Sequence, residues 1–300
     1  MEPRFLTFQK FTSTILVGDD IMSYLISAEW LITHLTDDNL IIFDATFVLP
    51  TMARDAAAEF EQTHIPGAQF FDINAIADTS SDLPHMVPTA EEFSHMMQEF
   101  GLSNDHKVVI YDNSPFLSAA RAWWLLRLFG KADVFVLNGG LPAYVKAGGP
   151  VAHGTAQPRE TGDFTAAPAL AQLILFDELR RHIEAGDEVQ IIDARPAPRF
   201  HGTADEPRPG LRSGHMPGAI NVPITDLLNK QTGTLKELSE LRGEFERAGL
   251  DFSKPAITSC GSGVTAAGLT LALAECGKED IALYDGSWAE WGASDAPIAS

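Results

Sequence analysis

Cysteine is nearly missing from this chain: Cys260 and Cys276 are the two among 300 residues. They lie sixteen positions apart and no C-x-x-C pair exists, so neither a disulfide framework nor a ribbon-type zinc site can be built. No metal is expected, and a reducing compartment, the cytoplasm, fits such usage best. Cations are also scarce, with 21 Lys and Arg against 41 Asp and Glu and a formal net charge of -20. That balance argues against nucleic acid or an anionic membrane as a partner. It also makes any arginine in a cleft a candidate for holding an anionic substrate against the overall field. No apolar run reaches the roughly 18 residues a membrane helix needs. The first twenty residues carry Arg4 and Lys10 as their basic groups and lack an apolar segment followed by a small-residue cleavage site. A secretory signal is therefore not expected. Residues 1–21 read as a frayed tail, with a weak presequence as the alternative.

What is present is a composition, 45% hydrophobic and 21% charged, able to bury a sizeable core. The chain also repeats itself. Leu40-Ile41-Ile42-Phe43-Asp44-Ala45 answers to Val189-Gln190-Ile191-Ile192-Asp193-Ala194, and His64-Ile65-Pro66-Gly67-Ala68 to His215-Met216-Pro217-Gly218-Ala219. Val108-Val109-Ile110-Tyr111-Asp112 answers to Ala256-Ile257-Thr258-Ser259-Cys260, and Leu137-Asn138-Gly139-Gly140 to Tyr284-Asp285-Gly286-Ser287. Four matches in one order at nearly one spacing indicate duplication of a whole domain, since solenoid periods are far shorter. The Gly-, Pro-, Ala- and Thr-rich stretch 148–168 reads as a linker. It divides the chain into domains at 22–147 and 169–300.

Within each copy, short Val- and Ile-rich runs ending in Asp, Asn or Gly alternate with amphipathic stretches of helix length. Such runs suit strands buried on both faces of a parallel sheet. The stretch 89–100 is a helix candidate, opened by Thr89 as N-cap with Glu92 three positions on. The expected fold is α/β: two tandem domains, each a parallel sheet flanked by helices on both faces. Ligands in such folds gather beyond the carboxyl ends of the strands.

Duplication supplies a filter, because residues shared by both copies serve the fold and chemistry should lie where the copies differ. His64 and His215 occur in both, each before a Pro-Gly turn, and read as structural hydrogen-bonders. Asp44 and Asp193 end equivalent strands and are demoted likewise. Cys260 passes, because its counterpart is Asp112, which is no sulfur nucleophile. Behind Cys260 come Gly261-Ser262-Gly263-Val264-Thr265 and then a helical run, 266–276. Two glycines in a strand-to-helix turn let amide N–H groups converge on one point, and the helix N-terminus adds positive potential. Both features favour a negative charge on the sulfur and would cradle a persulfide anion. Cys276, inside the helix beside Gly277, has no such surroundings and reads as structural.

At this loop the sequence resembles the rhodanese superfamily, and within it the branch that uses 3-mercaptopyruvate as sulfur donor. Cys260-Gly261-Ser262-Gly263-Val264-Thr265 matches that branch's active-site loop, where thiosulfate-preferring members place basic residues after the cysteine. The resemblance covers about residues 25–295 and implies two rhodanese-like domains, the first inactive and the second catalytic. It implies that Cys260 carries sulfur as a persulfide and that Gly261, Gly263, Val264 and Thr265 line the donor site. The segment Arg199-Phe200-His201-Gly202-Thr203-Ala204-Asp205-Glu206-Pro207-Arg208 resembles the family's R-F-x-G-T-x-x-E-P-R. It implies that Arg199 and Arg208 grip the donor's carboxylate and carbonyl, as guanidinium forks suit. Counting back 149 positions lands on Pro50 and Glu59, so this pair also passes the filter. Arg195 and Arg212 read as structural or rim residues. Ser262 is placed to donate to the thiolate or relay a proton. A family histidine from the first domain maps onto His85 in Leu83-Pro84-His85-Met86-Val87-Pro88. By spacing, the acid that accompanies it falls on Asn74, with Asp72 two residues earlier; which of the two supports His85 stays open, as does His85 itself between relay and plain surface histidine.

The resemblance further implies a small-molecule sulfur donor, a thiol acceptor such as thioredoxin or a small thiol, or cyanide, and no cofactor. A thiosulfate sulfurtransferase is the nearest rival, disfavoured by the uncharged Gly261 and Ser262. A cysteine phosphatase would close its loop with arginine as C-x₅-R, where Ala266 stands here. A non-catalytic binding module would have no reason to keep Cys260 with its whole loop.

Overall fold

In a computed structural model, residues 23–49, 51–169 and 172–300 are described; the readings for residues 1–21 and for Pro50 lie outside them. Two five-stranded sheets of identical topology account for the duplication. The first carries β1 (Leu25–Ile26), β2 (Leu40–Asp44), β3 (Ala68–Phe70), β4 (Lys107–Tyr111) and β5 (Val134–Leu137) in the order β1-β5-β4-β2-β3. The second repeats it with β6 (Leu173–Ile174), β7 (Gln190–Asp193), β8 (Ile220–Asn221), β9 (Ala256–Ser259) and β10 (Ile281–Tyr284) as β6-β10-β9-β7-β8. Every pairing is parallel. The central strands are buried along most of their length, which explains why they read as continuous apolar runs. The structure is thus the two-domain α/β arrangement expected.

The linking helices are α1 (Ala28–His34), α2 (Ala56–Gln62), α3 (Ala90–Glu99), α4 (Ala119–Leu128) and α5 (Gly140–Lys146) in the first half. The second half has α6 (Phe176–Ala185), α7 (Ala197–Phe200), α8 (Leu238–Arg247), α9 (Val264–Glu275) and α10 (Ser287–Trp291). In α3 the capping box between Thr89 and Glu92 is formed in both directions. The helices α4 and α9 differ from the rest. All ten residues of α4 are buried, and all of α9 except Thr265. A helix buried all round must be covered on every side, and α4 is so covered even at Arg121 and Arg127. The two helices cover one another along the domain seam and share one hydrophobic core with residues of both sheets, such as Phe43, Ile110, Ile192 and Ala256.

Residues 148–168 run along the first domain. Ala152 bridges to His64, Phe164 is buried in the shared core, and Ala167 donates to the Phe129 carbonyl. The two duplicated histidines do the same structural work. His64 Nδ1 lies 2.8 Å from the Phe60 carbonyl with its ring stacked on Phe60, and His215 Nδ1 lies 2.9 Å from the Phe200 carbonyl, stacked on Phe200. Each fastens a helix end to the Pro-Gly turn that follows. Replacing His64 with Ala leaves a buried carbonyl without its donor, which should cost about 1–3 kcal/mol. A urea titration reads this as a lower midpoint at unchanged slope.

Candidate active site

The strand β9 ends at Ser259, and Cys260 follows at the carboxyl end of the sheet, 2% exposed. The chain then turns through Gly261, Ser262 and Gly263 into α9. The helix begins at Val264, two residues earlier than the sequence reading placed it, because Gly263 at φ 80 serves as its N-cap. Among the described residues no side chain caps that N-terminus, which leaves its amides to the cysteine turn. The convergence of amides is narrower than expected. Ser287 Oγ accepts from the amides of Cys260 (3.2 Å) and Gly263 (3.1 Å) and donates to the Tyr284 carbonyl. Two of the loop's donors therefore fix its shape, leaving the rest of the turn and the helix end for an anion. Cys276 lies at the C-cap rather than inside α9, and burial pushes its thiol up to about 11, which keeps it unreactive at neutral pH.

Over this turn lies a cleft of about 290 Å³ bounded by Phe47, Phe116, Pro196, Pro207, Ile224 and the loop itself. Both candidate arginines reach it beside Gly261. A Cβ added there would stand 3.3 Å from Arg199 Nη2 and 3.7 Å from Arg208 Nη1, so glycine keeps the space between guanidinium groups and cysteine open. Arg199 is forked onto Glu206, Nη2 to Oε2 at 2.5 Å and Nε to Oε1 at 3.2 Å. Glu206, its side chain 1% exposed, is anchored by Arg195, itself held by Asp193, the Gly214 carbonyl and the face of Trp288. Arg208 makes no ion pair among the described residues. It donates to Ser262 Oγ at 3.2 Å, and burial lowers its affinity for its proton while Cys260 opposes that effect. Arg212 binds the carbonyls of Trp291, Gly292 and Ala296 and serves the fold, as does Arg195.

From the first domain, His85, 8% exposed, packs against the cysteine loop with Nδ1 3.1 Å from Ser262 Oγ and 3.2 Å from the Ser262 carbonyl. Its Nε2 lies 3.1 Å from Asn74 Oδ1. Asp72 Oδ1 accepts from Asn74 Nδ2 at 3.1 Å and from the Asn74 amide at 2.9 Å, which turns the amide oxygen toward the imidazole. The choice left open between Asn74 and Asp72 is thereby resolved: Asn74 touches His85, and Asp72 orients Asn74. With Nε2–H donating to Asn74, a neutral ring accepts from the Ser262 hydroxyl at Nδ1. Once protonated, Nδ1 has the Ser262 carbonyl to donate to. Burial and the Arg121 guanidinium push His85 down to about 4.

Sequence reasoning brought Cys260, Ser262, Arg199 and Arg208 to one cleft, together with Gly261, Val264 and Thr265 on its wall; His85 joins it through Ser262, and Gly263 lies behind the wall against Arg121 and Asp285. It missed Glu206, Ser287, Arg121, Asp285 and the aromatic wall of Phe47 and Phe116. Glu206 stood inside a quoted motif, and Asp285 and Ser287 in the repeat against Asn138 and Gly140. The aromatic wall left no signal.

Comparison with known proteins bears on this site. The family model described as "Rhodanese-like domain" matches residues 27–147 and again 175–294. A 3-mercaptopyruvate sulfurtransferase of Escherichia coli strain K12 is 44% identical over 280 residues, covering 92% of this chain and 98% of its own. The crystal structure of SseA from Escherichia coli, described with the catalytic mechanism of 3-mercaptopyruvate sulfotransferases, superposes with a TM-score of 0.81 at 41% identity. It covers 89% of this chain and 100% of that one. A thiosulfate sulfurtransferase of Gallus gallus is 40% identical over 275 residues, 89% of this chain and 92% of its own.

The depressed His85 has a consequence for stability. The unfolded histidine takes its proton near pH 6.5 and the folded one near 4. Between these values the unfolded state binds more protons, so stability is fully present above 6.5 and falls as pH drops toward 4. The loss from this residue is at most about 3 kcal/mol. Urea midpoints measured from pH 7 to 4 should fall less steeply for His85→Asn; parallel curves would contradict the buried neutral imidazole.

Proposed function

The chain belongs to the rhodanese family, with one rhodanese-like domain in each half, and we propose that this sulfurtransferase takes the sulfur of 3-mercaptopyruvate onto Cys260. The observation that carries the reading is the pair Arg199 and Arg208 flanking Gly261 beside the cysteine, with no cationic side chain on the loop itself. A monoanionic carboxylate suits the guanidinium groups. A dianionic thiosulfate would need charge closer to the sulfur, where Gly261 and Ser262 offer none. The proposed division of the chain is a non-catalytic domain at 22–147, a linker at 148–168 and a catalytic domain at 169–300.

In the proposed reaction Arg199 and Arg208 hold the donor so that its sulfur faces Cys260 Sγ. The Cys260 thiolate attacks that sulfur and forms the S–S bond. The carbon–sulfur bond breaks, and its electron pair passes into pyruvate enolate, whose oxygen the arginines stabilise. The proton of the donor's SH group reaches the enolate carbon, with Ser262 and neutral His85 as carriers, giving pyruvate and a Cys260 persulfide anion. A thiol of a small molecule or of a thioredoxin-like protein, or cyanide, then takes the outer sulfur and restores the thiolate. No step calls for an organic cofactor or metal, and no group of metal-binding side chains is found among the described residues. No helix of the described residues is long and apolar enough to cross a membrane, and both cysteines are free thiols. A reducing, cytoplasmic setting is proposed on that footing.

Cys260→Ser should abolish turnover while leaving the circular dichroism spectrum unchanged, and pyruvate release within tenfold of the parent would refute the assignment. Arg208→Gln should raise KM for mercaptopyruvate at least tenfold, the loss of one charge-assisted hydrogen bond of about 1.5–3 kcal/mol. The test of donor identity is the initial rate with 3-mercaptopyruvate and with thiosulfate, side by side, against a thiol and against cyanide. Preference for thiosulfate would keep Cys260 as the carrier and overturn the reading of Gly261 and Ser262.

A further inference from the structure

Arg121 on α4 and Asp285 behind β10 form an ion pair across the domain seam, Nη2 to Oδ1 at 2.9 Å, each side chain 1% exposed. Buried pairs of this kind contribute little net stability compared with apolar side chains of equal volume. This one is incompletely satisfied besides, since Arg121 Nε and Nη1 have no hydrogen-bond partner among the described residues. Its place in the seam is better explained by what it holds. Asp285 Oδ2 accepts from the Val87 amide at 2.7 Å, and Arg121 Nη2 donates to the His85 carbonyl. The loop that carries His85 is thus gripped at the residue's own carbonyl and again two positions on. His85 itself sits at φ 64, a left-handed conformation that side chains disfavour and that surrounding contacts must impose. The same pair packs on the cysteine loop: a Cβ on Gly263 would lie 2.9 Å from Arg121 Nη1 and 3.4 Å from Asp285 Oδ1.

The duplication supplies a control within the molecule. Asn138 stands where Asp285 stands in the other copy, and it too crosses the seam, its Oδ1 accepting from the Leu235 amide at 2.9 Å. Aligning α4 and α9 by their C-caps, Phe129 and Cys276, places Gly268 opposite Arg121. Where Arg121 reaches out, Gly268 has Ile224, whose Cδ1 would lie 2.6 Å from an added Cβ. Equivalent positions of the two copies thus make one kind of hydrogen bond across the seam. On the Asp112 side the acceptor is a neutral amide, and the place of Arg121 is held by Gly268 packed on Ile224. On the Cys260 side the acceptor belongs to an ion pair.

We propose that Arg121 and Asp285 are positioning residues, a clamp across the domain seam that holds His85 against Ser262 for proton transfer. This rests on the reading of Ser262 and His85 as the proton carriers.

The test is a double-mutant cycle on pyruvate release from 3-mercaptopyruvate. Asp285→Asn is isosteric, keeps an acceptor for Val87 and reproduces the neutral side of the seam. It should lower kcat at least tenfold and leave KM within threefold, because Arg199 and Arg208 are untouched. On a His85→Asn background it should cost less than twofold, since the group it positions is gone. Arg121→Gln, read in the same cycle, should behave alike and serves if Asp285→Asn lacks a native circular dichroism spectrum. The same cost on both backgrounds, or none on either, overturns the clamp and leaves His85 standing. Equal kcat for the parent and His85→Asn overturns the reading of His85 first, and the clamp with it.

Discussion

His85 and Ser262 meet at 3.1 Å although 177 positions separate them and they belong to different domains. Neither side chain finds the other within its own domain, so the relation between the two sheets fixes the distance. That relation is set by α4 and α9, buried against one another and sharing one core with both sheets. Behind the histidine, Asp72 and Asn74 determine which ring nitrogen carries the proton. In front of it, Arg208 donates to the same serine oxygen that faces the ring. Proton transfer is steep in distance, and an error of about an ångström in docking the domains would lose it. A seam packed as tightly as a protein interior does not drift by that much.

The two copies show what a single strand–turn–helix cradle can be used for. In the first, Asp112 follows β4, and its carboxylate accepts from the amides of Ala119 at 2.6 Å and Ser114 at 3.3 Å and from the Ser118 hydroxyl at 3.2 Å. Burial pushes that carboxyl up to about 6, against the pull of those donors. The cradle is filled by the chain's own anion, and nothing else can react there. In the second, Cys260 takes the position of Asp112, and the following helix is left without a side-chain cap. One copy keeps its anion permanently; the other leaves the same geometry free for a sulfur anion that comes and goes.

This division explains what could be read from the sequence. Strand ends, the Thr89 cap, the Pro-Gly turns and the cysteine loop are written in residues a few positions apart, where period and turn chemistry suffice. Comparing the copies separated the shared His64 and His215 from the unshared Cys260. The contacts that finish the site lie at longer range. Arg121 meets Asp285 across 164 positions and Val87 meets Asp285 across 198, and no periodicity records such a meeting. Asn74 and Asp72 differ by two positions, and the turn of the chain between them decides which faces His85. Even Ser287, visible in the repeat opposite Gly140, declares its hold on Cys260 and Gly263 only when the loops are folded.

A chain of net charge -20 must still gather anions at Cys260. Around the cleft stand Arg195, Arg199 and Arg208, with Asp193 and Glu206 among them. Arg195 is spent on the two carboxylates and on Trp288, and Arg199 shares Glu206 with it. Three cations against two anions leave one positive charge in excess, and Arg208 is the group positioned to present it. A thiolate on Cys260 alone balances that excess. A donor carboxylate then brings the site to one net negative charge, which the amides of the helix end can absorb. A dianion would bring it to two, and Arg121, the next cation against the cysteine loop, is already paired with Asp285. The pairing of Glu206 with Arg199 therefore does more than shape the wall: it limits how much negative charge the cleft can hold, and so which donors it can accept.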